Sequence, residues 1–485
     1  MAEKKNNDLN TEGSLEPNAQ ENGNARQAAQ IDLDLIKKYN VQGPRYTSYP
    51  TAVQFKEAEE DTILSLRHYL LNRNDKPRRI SLYFHIPFCF SLCWYCGCTK
   101  IITKDTDRGD AYLAYVEKEI NQILPLIHPK SNVVQVHFGG GTPTFLRPDQ
   151  IRRLGELIHS RFKLSEKTEF SVEIDPRRCS REHIKALVEI GCNRASLGVQ
   201  DTNEQVQQAI HRIQPFEETK KVTGWLREAW IDSINFDLIY GLPKQTLSTF
   251  RQTMDDVLTL SPDRMAVYSY AHIPSLMPAQ KLLNIDEMPS VDEKLQMLKS
   301  SIEYLTENGY RFIGMDHFSR EDEELSVAAS NGTLQRNFQG YSTQAGADLY
   351  AFGMSGISNV GSWYWQNEKE LTKYYERLDN EETPIFKSYT LNRDDFIRKD
   401  VIMNIMCKMG VDFKKIEHDW DINFTQYFSD ELARLNSLQE DGLVIRTNNK
   451  ISITEHGRLF LRNIAMCFDH YLNASKVAHN YSKTV

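Results

Sequence analysis

From residue 80 onward, apolar β-rich runs alternate with segments of helical periodicity, and this alternation constrains the fold more than any other feature of the chain. The runs are SLYFHIP, VVQVHFGG, TEFSVEIDP, RASLGVQ, INFDLIYGLP, RMAVYSYAHIP and YRFIGMDHF. Between most of them lie amphipathic stretches such as DQIRRLGELIHSRF, REHIKALVEIG, TLSTFRQTMDDVLTL and VDEKLQMLKSSIEYLTENG. Repeated βα units predict a parallel sheet in an α/β fold, doubly wound or curled as a full or partial barrel. Such sheets bind ligands at the C-terminal ends of their strands, where the distinctive polar residues of this chain fall.

The chain has 485 residues, beyond the ~250–300 at which single cores stop growing, so more than one unit is expected. Residues 1–30 contain no Ile, Val, Phe, Trp or Tyr and read as a disordered tail. Residues 31–79 form an N-terminal arm: a short helix, IDLDLIKKY, then NVQGPRYTSYPTA, whose Arg45, Tyr46, Tyr49 and Pro50 look anchored. The βα region spans 80–330, and 331–391, rich in Gly, Asn, Gln and Tyr without a clear period, reads as irregular structure covering a site. Residues 392–485 read as a mainly helical, winged-helix-like domain: three helices, the hairpin LVIRTNNKISIT and a last helix, GRLFLRNIAMCFDHYL. Residues 391–485 carry 13 Lys plus Arg against 13 Asp plus Glu. A neutral module lacks the basic face that phosphate contact needs, so a lid or packing role is expected and no nucleic-acid partner. The whole chain is acidic, with 58 basic and 66 acidic residues and a net charge of −8. No window has the ~18 apolar residues of a membrane span, and the first residues lack a secretory core, so the cytoplasm is expected.

Cys179, Cys192, Cys407 and Cys467 are scattered singly, whereas Cys89, Cys93, Cys96 and Cys98 crowd into ten residues directly after SLYFHIP. Three thiolates on one tight loop can ligate three irons of a [4Fe-4S] cluster and leave the fourth iron open. Structural zinc or a redox dithiol is the competing reading, but no second Cys pair completes a tetrahedron. The run Gly139, Gly140, Gly141 follows a strand, where glycines allow a backbone close to a ligand or a plain tight turn. It is no dinucleotide fingerprint, since the third glycine would fall at Thr144. Glu173 alternates with Phe170, Val172 and Ile174, leaving its direction open. Gln200 and Asp237 close apolar strands. Arg212, on a helix after the fourth strand, reads as a surface charge.

The run Tyr83-x-His85-Ile86-Pro87-Phe88-Cys89-x3-Cys93-x2-Cys96-Gly97-Cys98 resembles the radical S-adenosylmethionine (SAM) superfamily. Within it, GPRYTSYPTA, FGGGTPTFL, VEIDPR, LGVQD, NFDLIYGLPKQT, YAHIP, GMDHF, RNFQGY and RNIAMCFDHYL resemble the oxygen-independent coproporphyrinogen III oxidases. The resemblance spans nearly the whole chain after residue 30. It implies a partial (β/α) barrel followed by a helical C-terminal domain, with Cys89, Cys93 and Cys96 as cluster ligands and Cys98 outside the set. For SAM it implies Tyr83, Tyr95, Gly140, Gly141, Thr142, Glu173, Ala271 and Ile357, with Gln200, Arg212 and Asp237 on a second SAM. Tyr95 departs from the Phe often found in relatives and keeps the aromatic face. Ala271 and Ile357 are anonymous apart from their places in YAHIP and GMSGIS.

The same resemblance implies the reaction. SAM on the open iron yields a 5′-deoxyadenosyl radical, which takes hydrogen from the β-carbon of a propionate of coproporphyrinogen III. Loss of CO2 and an electron leaves a vinyl group, and two rounds give protoporphyrinogen IX in haem biosynthesis. An electron donor such as flavodoxin or ferredoxin and a monomeric state are expected. Arg45 and Arg177 or Arg178 are candidate anchors for propionates, because Arg pairs carboxylates bidentately. A haem chaperone sharing the radical SAM core is the rival reading; relatives of that kind typically lack the counterpart of Cys98 and the RYTSYP arm, and both are present here. Non-enzymatic haem binding or DNA regulation would need, respectively, no SAM cleavage or a basic recognition helix.

Overall fold

The computed structural model describes residues 32–474 and 481–484; the expected tail, 1–30, lies outside the described residues. Six strands, β1 (Arg79–Ile86), β2 (Asn132–Gly140), β3 (Lys163–Ile174), β4 (Arg194–Gln200), β5 (Ser233–Tyr240) and β6 (Arg264–Ser269), lie side by side in sequence order, all parallel. Between them run α1 (Arg108–Ile123), α2 (Pro148–Arg161), α3 (Arg181–Glu189), α4 (Phe216–Glu228) and α5 (Leu247–Leu258), and α6 (Val291–Glu307) follows β6. The local chemistry of these helices is legible. Pro148 opens α2, where its missing N–H costs nothing, and Ser180 and Ser290 close capping boxes at α3 and α6.

The sheet is wider than the βα pattern alone gives. The run YRFIGMDHF folds as an antiparallel hairpin, β7 (Tyr310–Gly314) and β8 (His317–Arg320), with β8 antiparallel to β6. On the other edge, β9 (Asp348–Phe352) lies parallel to β1, followed outward by antiparallel β10 (Ile357–Val360), β11 (Trp363–Asn367) and β12 (Ile385–Thr390). The result is a 13-stranded sheet whose two edges do not pair with each other, a partial barrel. The segment 331–391, expected to be irregular, therefore supplies strands. Its pattern is missed because DLYAF and WYWQN are buried at every position, and a strand covered on both faces shows no alternation.

One large core lies between the outer face of the sheet and the helices, joining Leu82, Phe84, Phe138, Val172, Leu197 and Phe236 to residues such as Leu113, Leu154 and Phe250. A second core joins the C-terminal domain to the arm and to the barrel's far edge through Tyr46, Tyr49, Leu295, Ile313, Ile402 and Phe468. In that domain the expected hairpin gains a third strand, Gly410–Asp412, beside Lys450–Ile453 and Val444–Arg446. The expected last helix is broken into Leu461–Met466 and His470–Ala474. The arm is anchored as expected: Tyr46 Oη donates to Asp469 (2.9 Å), and Tyr49 Oη accepts from the His470 amide (3.0 Å).

Candidate active site at the C-terminal ends of the barrel strands

Alternation along the strands decides which residues can reach a ligand. On β3, Phe170, Val172 and Ile174 are buried against the helices, so Ser171 and Glu173 face the lumen, which settles the direction left open for Glu173. On β5, Phe236 and Leu238 pack outward while Asn235 and Asp237 face in. The N-terminal end of the lumen is closed by charge pairs among Arg194, Arg264, Glu169 and Glu323. Polar function is left to the opposite end.

There the cysteine loop leaves β1. Its first residues, Phe88–Cys89, pair with Ile101–Ile102, so both ends of the loop are pinned. Cys89 Sγ lies 3.3 Å from Thr142 Oγ1. Cys93 is buried, with Arg177 Nη2 3.5 Å and Arg212 Nη1 3.6 Å from its sulfur. A hydrogen bond with Cys98 outweighs burial and lowers the Cys96 thiol to about 6, whereas burial pushes Cys89 up to about 11. The two arginines share Asp175: Arg177 Nη2 reaches it at 2.6 Å and Arg212 Nη1 at 3.3 Å. Burial alone would raise the Asp175 carboxyl, but Arg212 and Arg177 win and hold it at about 2.

The glycine run packs β2 against the base of this loop. A Cβ on Gly141 would lie 2.6 Å from the Pro87 carbonyl oxygen, and one on Gly140, at φ +119°, would lie 2.9 Å from the His85 ring. Gly140 N donates to Glu173 Oε2 (3.1 Å), and His137 Nε2 lies 3.3 Å from Glu173 Oε1. Tyr83 stacks on His137 and meets His85 Nδ1 at 3.1 Å. Tyr83, Gly140 and Glu173 thus form one polar wall beside the cysteines. Of their partners, His85 stands in the cysteine run two residues after Tyr83, while His137, not singled out in the sequence, pairs with Tyr83 across the β1–β2 ladder.

The remaining candidates divide. Gln200 sits at φ +68° where a bulge shifts the register between β4 and β5. Gly198 makes room there: a Cβ would come within 2.8 Å of the Gln200 amide nitrogen and 3.1 Å of the Arg212 guanidinium. Arg212 is no surface charge. It lies beyond the helix Glu204–Ala209, is 6% exposed, and donates to the Gly198 carbonyl (2.6 Å), while its Nε has no partner among the described residues. Burial raises the Asp237 carboxyl to about 6, against hydrogen bonds from Ser196 and Asn235 at 2.9 Å each. Gln280, 3% exposed and unremarkable in sequence, ties the Tyr95 and Ala271 carbonyls together at 3.1 Å each. Ile357, half-buried at the start of β10, packs in part against the edge of a small aromatic cluster around Phe55 and Tyr364. Of the candidate propionate anchors, Arg177 is committed to Asp175 and Cys93, and Arg178 lies exposed over the Phe90 ring.

Comparison with known proteins places this geometry. Residues 83–257 match the radical SAM superfamily, and 391–460 match the HemN C-terminal domain. The oxygen-independent coproporphyrinogen III oxidase of Salmonella typhimurium is 44% identical over 456 residues, covering 94% of this chain and 98% of the relative. The chain belongs to the family of oxygen-independent coproporphyrinogen III oxidases. A family member from Helicobacter pylori is 40% identical over 94% of the chain. The solved structure of the Escherichia coli radical SAM coproporphyrinogen III oxidase superposes with a TM-score of 0.86 at 44% identity, over 91% of this chain and all (100%) of that one. The family is one of oxidoreductases of haem biosynthesis that use a [4Fe-4S] cluster and SAM, and the haem-chaperone reading is not favoured.

The residues present fit both groups. The loop offers three thiols beside two guanidinium groups, and a cubane takes each thiolate on a different iron. For SAM, the Glu173 side chain remains 45% exposed in the lumen, and the buried Arg212 Nε lacks a partner.

Proposed function

We propose that Cys89, Cys93 and Cys96 hold the [4Fe-4S] cluster and that Tyr83, Tyr95, Gly140, Gly141, Thr142, Glu173, Ala271 and Ile357 line the SAM bound to it. When bound, the cluster and SAM would supply the one-electron chemistry for the oxidative decarboxylation of coproporphyrinogen III to protoporphyrinogen IX. The single observation that carries this reading is the shared wall. Thr142, at the end of the glycine run, touches Cys89 Sγ at 3.3 Å, while Gly140 donates to Glu173. A ligand on this wall meets the thiols and the lumen carboxylate together.

The chain's own residues bind, orient and exclude water. Arg177 and Arg212 direct N–H groups at the Cys93 sulfur and fix its place in the loop. Phe90, Trp94 and Tyr95 surround the loop with apolar surface; Trp94 stacks on His211, with ring centroids 5.1 Å apart. Gln200, Arg212 and Asp237, gathered at the ends of β4 and β5, form a second subsite for another SAM, giving two per chain. Arg45 faces the lumen from the arm as a propionate anchor. Coproporphyrinogen III is the substrate, and flavodoxin or ferredoxin is the reductant of a cytoplasmic monomer. Among the described residues no helix is long and apolar enough to cross a membrane.

The cysteine assignment is tested by anaerobic reconstitution with iron and sulfide. Cys93→Ser loses cluster absorbance and bound iron, while Cys98→Ser keeps both. A Cys98→Ser protein that fails to assemble the cluster, or a Cys93→Ser protein that assembles it normally, contradicts the assignment.

A further inference from the structure

A cavity of about 280 Å³ opens where β5 and β6 end, bounded by Tyr240, Ser269, Tyr270 and Ala271. Its charged lining is one-sided: Arg45 from the arm, Lys294 from α6 and Lys483 near the C-terminus, with no Asp or Glu among the lining residues. In a chain of net charge −8 such a surface requires a reason. Lys294 has been given its place by the backbone. Gly241, at φ +87°, lies directly beneath it, and a Cβ there would come within 2.5 Å of Lys294 Cε. The ammonium donates to the Tyr270 carbonyl at 2.8 Å, and no carboxylate pairs with it among the described residues. An ammonium has three donors, so two remain for a ligand.

The surroundings add to the surplus of positive charge. Arg45 has Asp316 as its ion-pair partner, yet burial and the neighbouring Arg336 lower its pKa. Burial, Arg45 and Arg336 bring Arg462 down to about 9, and burial with Lys483 brings Lys294 down to about 8. Cations crowded in this way are stabilised by a bound anion. The cavity also belongs to the reaction end of the barrel, since its Ala271 carbonyl is joined through Gln280 to Tyr95 of the cysteine loop.

We propose that this cavity, with Lys294 and Arg45 as its cations, holds a propionate carboxylate of the porphyrinogen substrate, one that the product retains. The proposal deepens the oxidase reading and rests on it. Two carboxylate sources exist in the reaction, SAM and the porphyrinogen. SAM carries an ammonium and a sulfonium with its one carboxylate, so a cavity without acids repels it, whereas a tetra-anion is attracted. The choice among propionates follows from the chemistry. A reacting carboxylate leaves as neutral CO2, so a close cation stabilises the ground state more than the transition state and slows the step. Cations therefore belong on the propionates that stay. The volume suits a propionate-bearing pyrrole edge rather than a whole tetrapyrrole, since pockets for drug-sized ligands already run to ~300–1,000 Å³.

The test uses the cluster-loaded, full-length enzyme and the stable fluorescent porphyrins. Lys294→Gln weakens binding of coproporphyrin III, and equally of protoporphyrin IX, on the order of tenfold. It leaves the coproporphyrin tetra-amide and SAM unaffected, with iron content and circular dichroism as for the unmodified enzyme. Independently, coproporphyrin III affinity of the unmodified enzyme falls with added salt, and that of Lys294→Gln falls less steeply. Unchanged porphyrin binding, or a loss confined to SAM, overturns the site; a loss for coproporphyrin III without one for protoporphyrin IX overturns the assignment to a retained propionate. An unmodified enzyme that binds none of the porphyrins contradicts the oxidase reading itself.

Discussion

Asp237 shows how burial turns an ordinary strand residue into a group that can respond to pH. It faces the lumen beside Gln200 and Arg212, and burial raises its carboxyl to about 6. Below that pH the group is protonated, and above it the charged form is available to accept from a ribose hydroxyl or to balance a sulfonium. SAM affinity at the second subsite is therefore expected to fall as pH drops through about 6, and Asp237→Asn to be weaker at neutral pH and flat across that range. Anaerobic calorimetry at several pH values checks both. Several residues of this site were legible from their places alone: the cysteines by spacing, Gly140 and Gly141 by their run after a strand, Asp237 by closing an apolar strand. Arg212 was not. Its burial depends on Asp175, Gly198 and Cys93, none of which is near it in sequence.

At the scale of elements, the βα alternation gave the six parallel strands with their order, and missed how the sheet is completed. The missing part hangs on α1. Glu119 on that helix, 2% exposed, accepts from Gly353 N (2.7 Å), Asn367 Nδ2 (2.6 Å) and Tyr374 Oη (2.7 Å), binding β11 and the chain just after β9 to the barrel. Tyr112, two turns earlier on the same face of α1, donates to the His85 carbonyl at 2.6 Å and accepts from Met354 N at 3.0 Å. No local pattern predicts the contacts to Gly353, Met354, Asn367 and Tyr374, because those partners are more than 200 residues away from α1. Glu119→Ala leaves Gly353 N and Tyr374 Oη without an acceptor and takes one of two acceptors from Asn367 Nδ2, which keeps the Gly353 carbonyl, and is expected to cost about 3 kcal/mol. Thermal unfolding of the variant reads the loss, and hydrogen exchange in 348–367 locates it. A melting temperature equal to that of the unmodified protein contradicts the role given to Glu119.

At the scale of the molecule, the arm and the C-terminal domain form one body with the far edge of the barrel. Arg462 donates to the Gly43 and Pro44 carbonyls (2.9 Å for Pro44), so the arm that carries Arg45 is positioned by the last domain. Read from sequence, that domain is a neutral lid or packing module; in the structure Tyr46 and Tyr49 of the arm lie among its buried residues. What composition could not give is that this packing sets Arg45 beside Asp316 and over the Tyr268 ring. The central claim is that the shared wall of cysteine loop, glycine run and Glu173 performs radical decarboxylation of coproporphyrinogen III. Its most direct measurement is anaerobic turnover of the reconstituted enzyme with SAM, a reductant and coproporphyrinogen III, following 5′-deoxyadenosine and porphyrinogen products together. The account predicts 5′-deoxyadenosine and protoporphyrinogen IX from the unmodified chain and neither from Cys93→Ser; an intact cluster that yields neither product in the unmodified chain would contradict it.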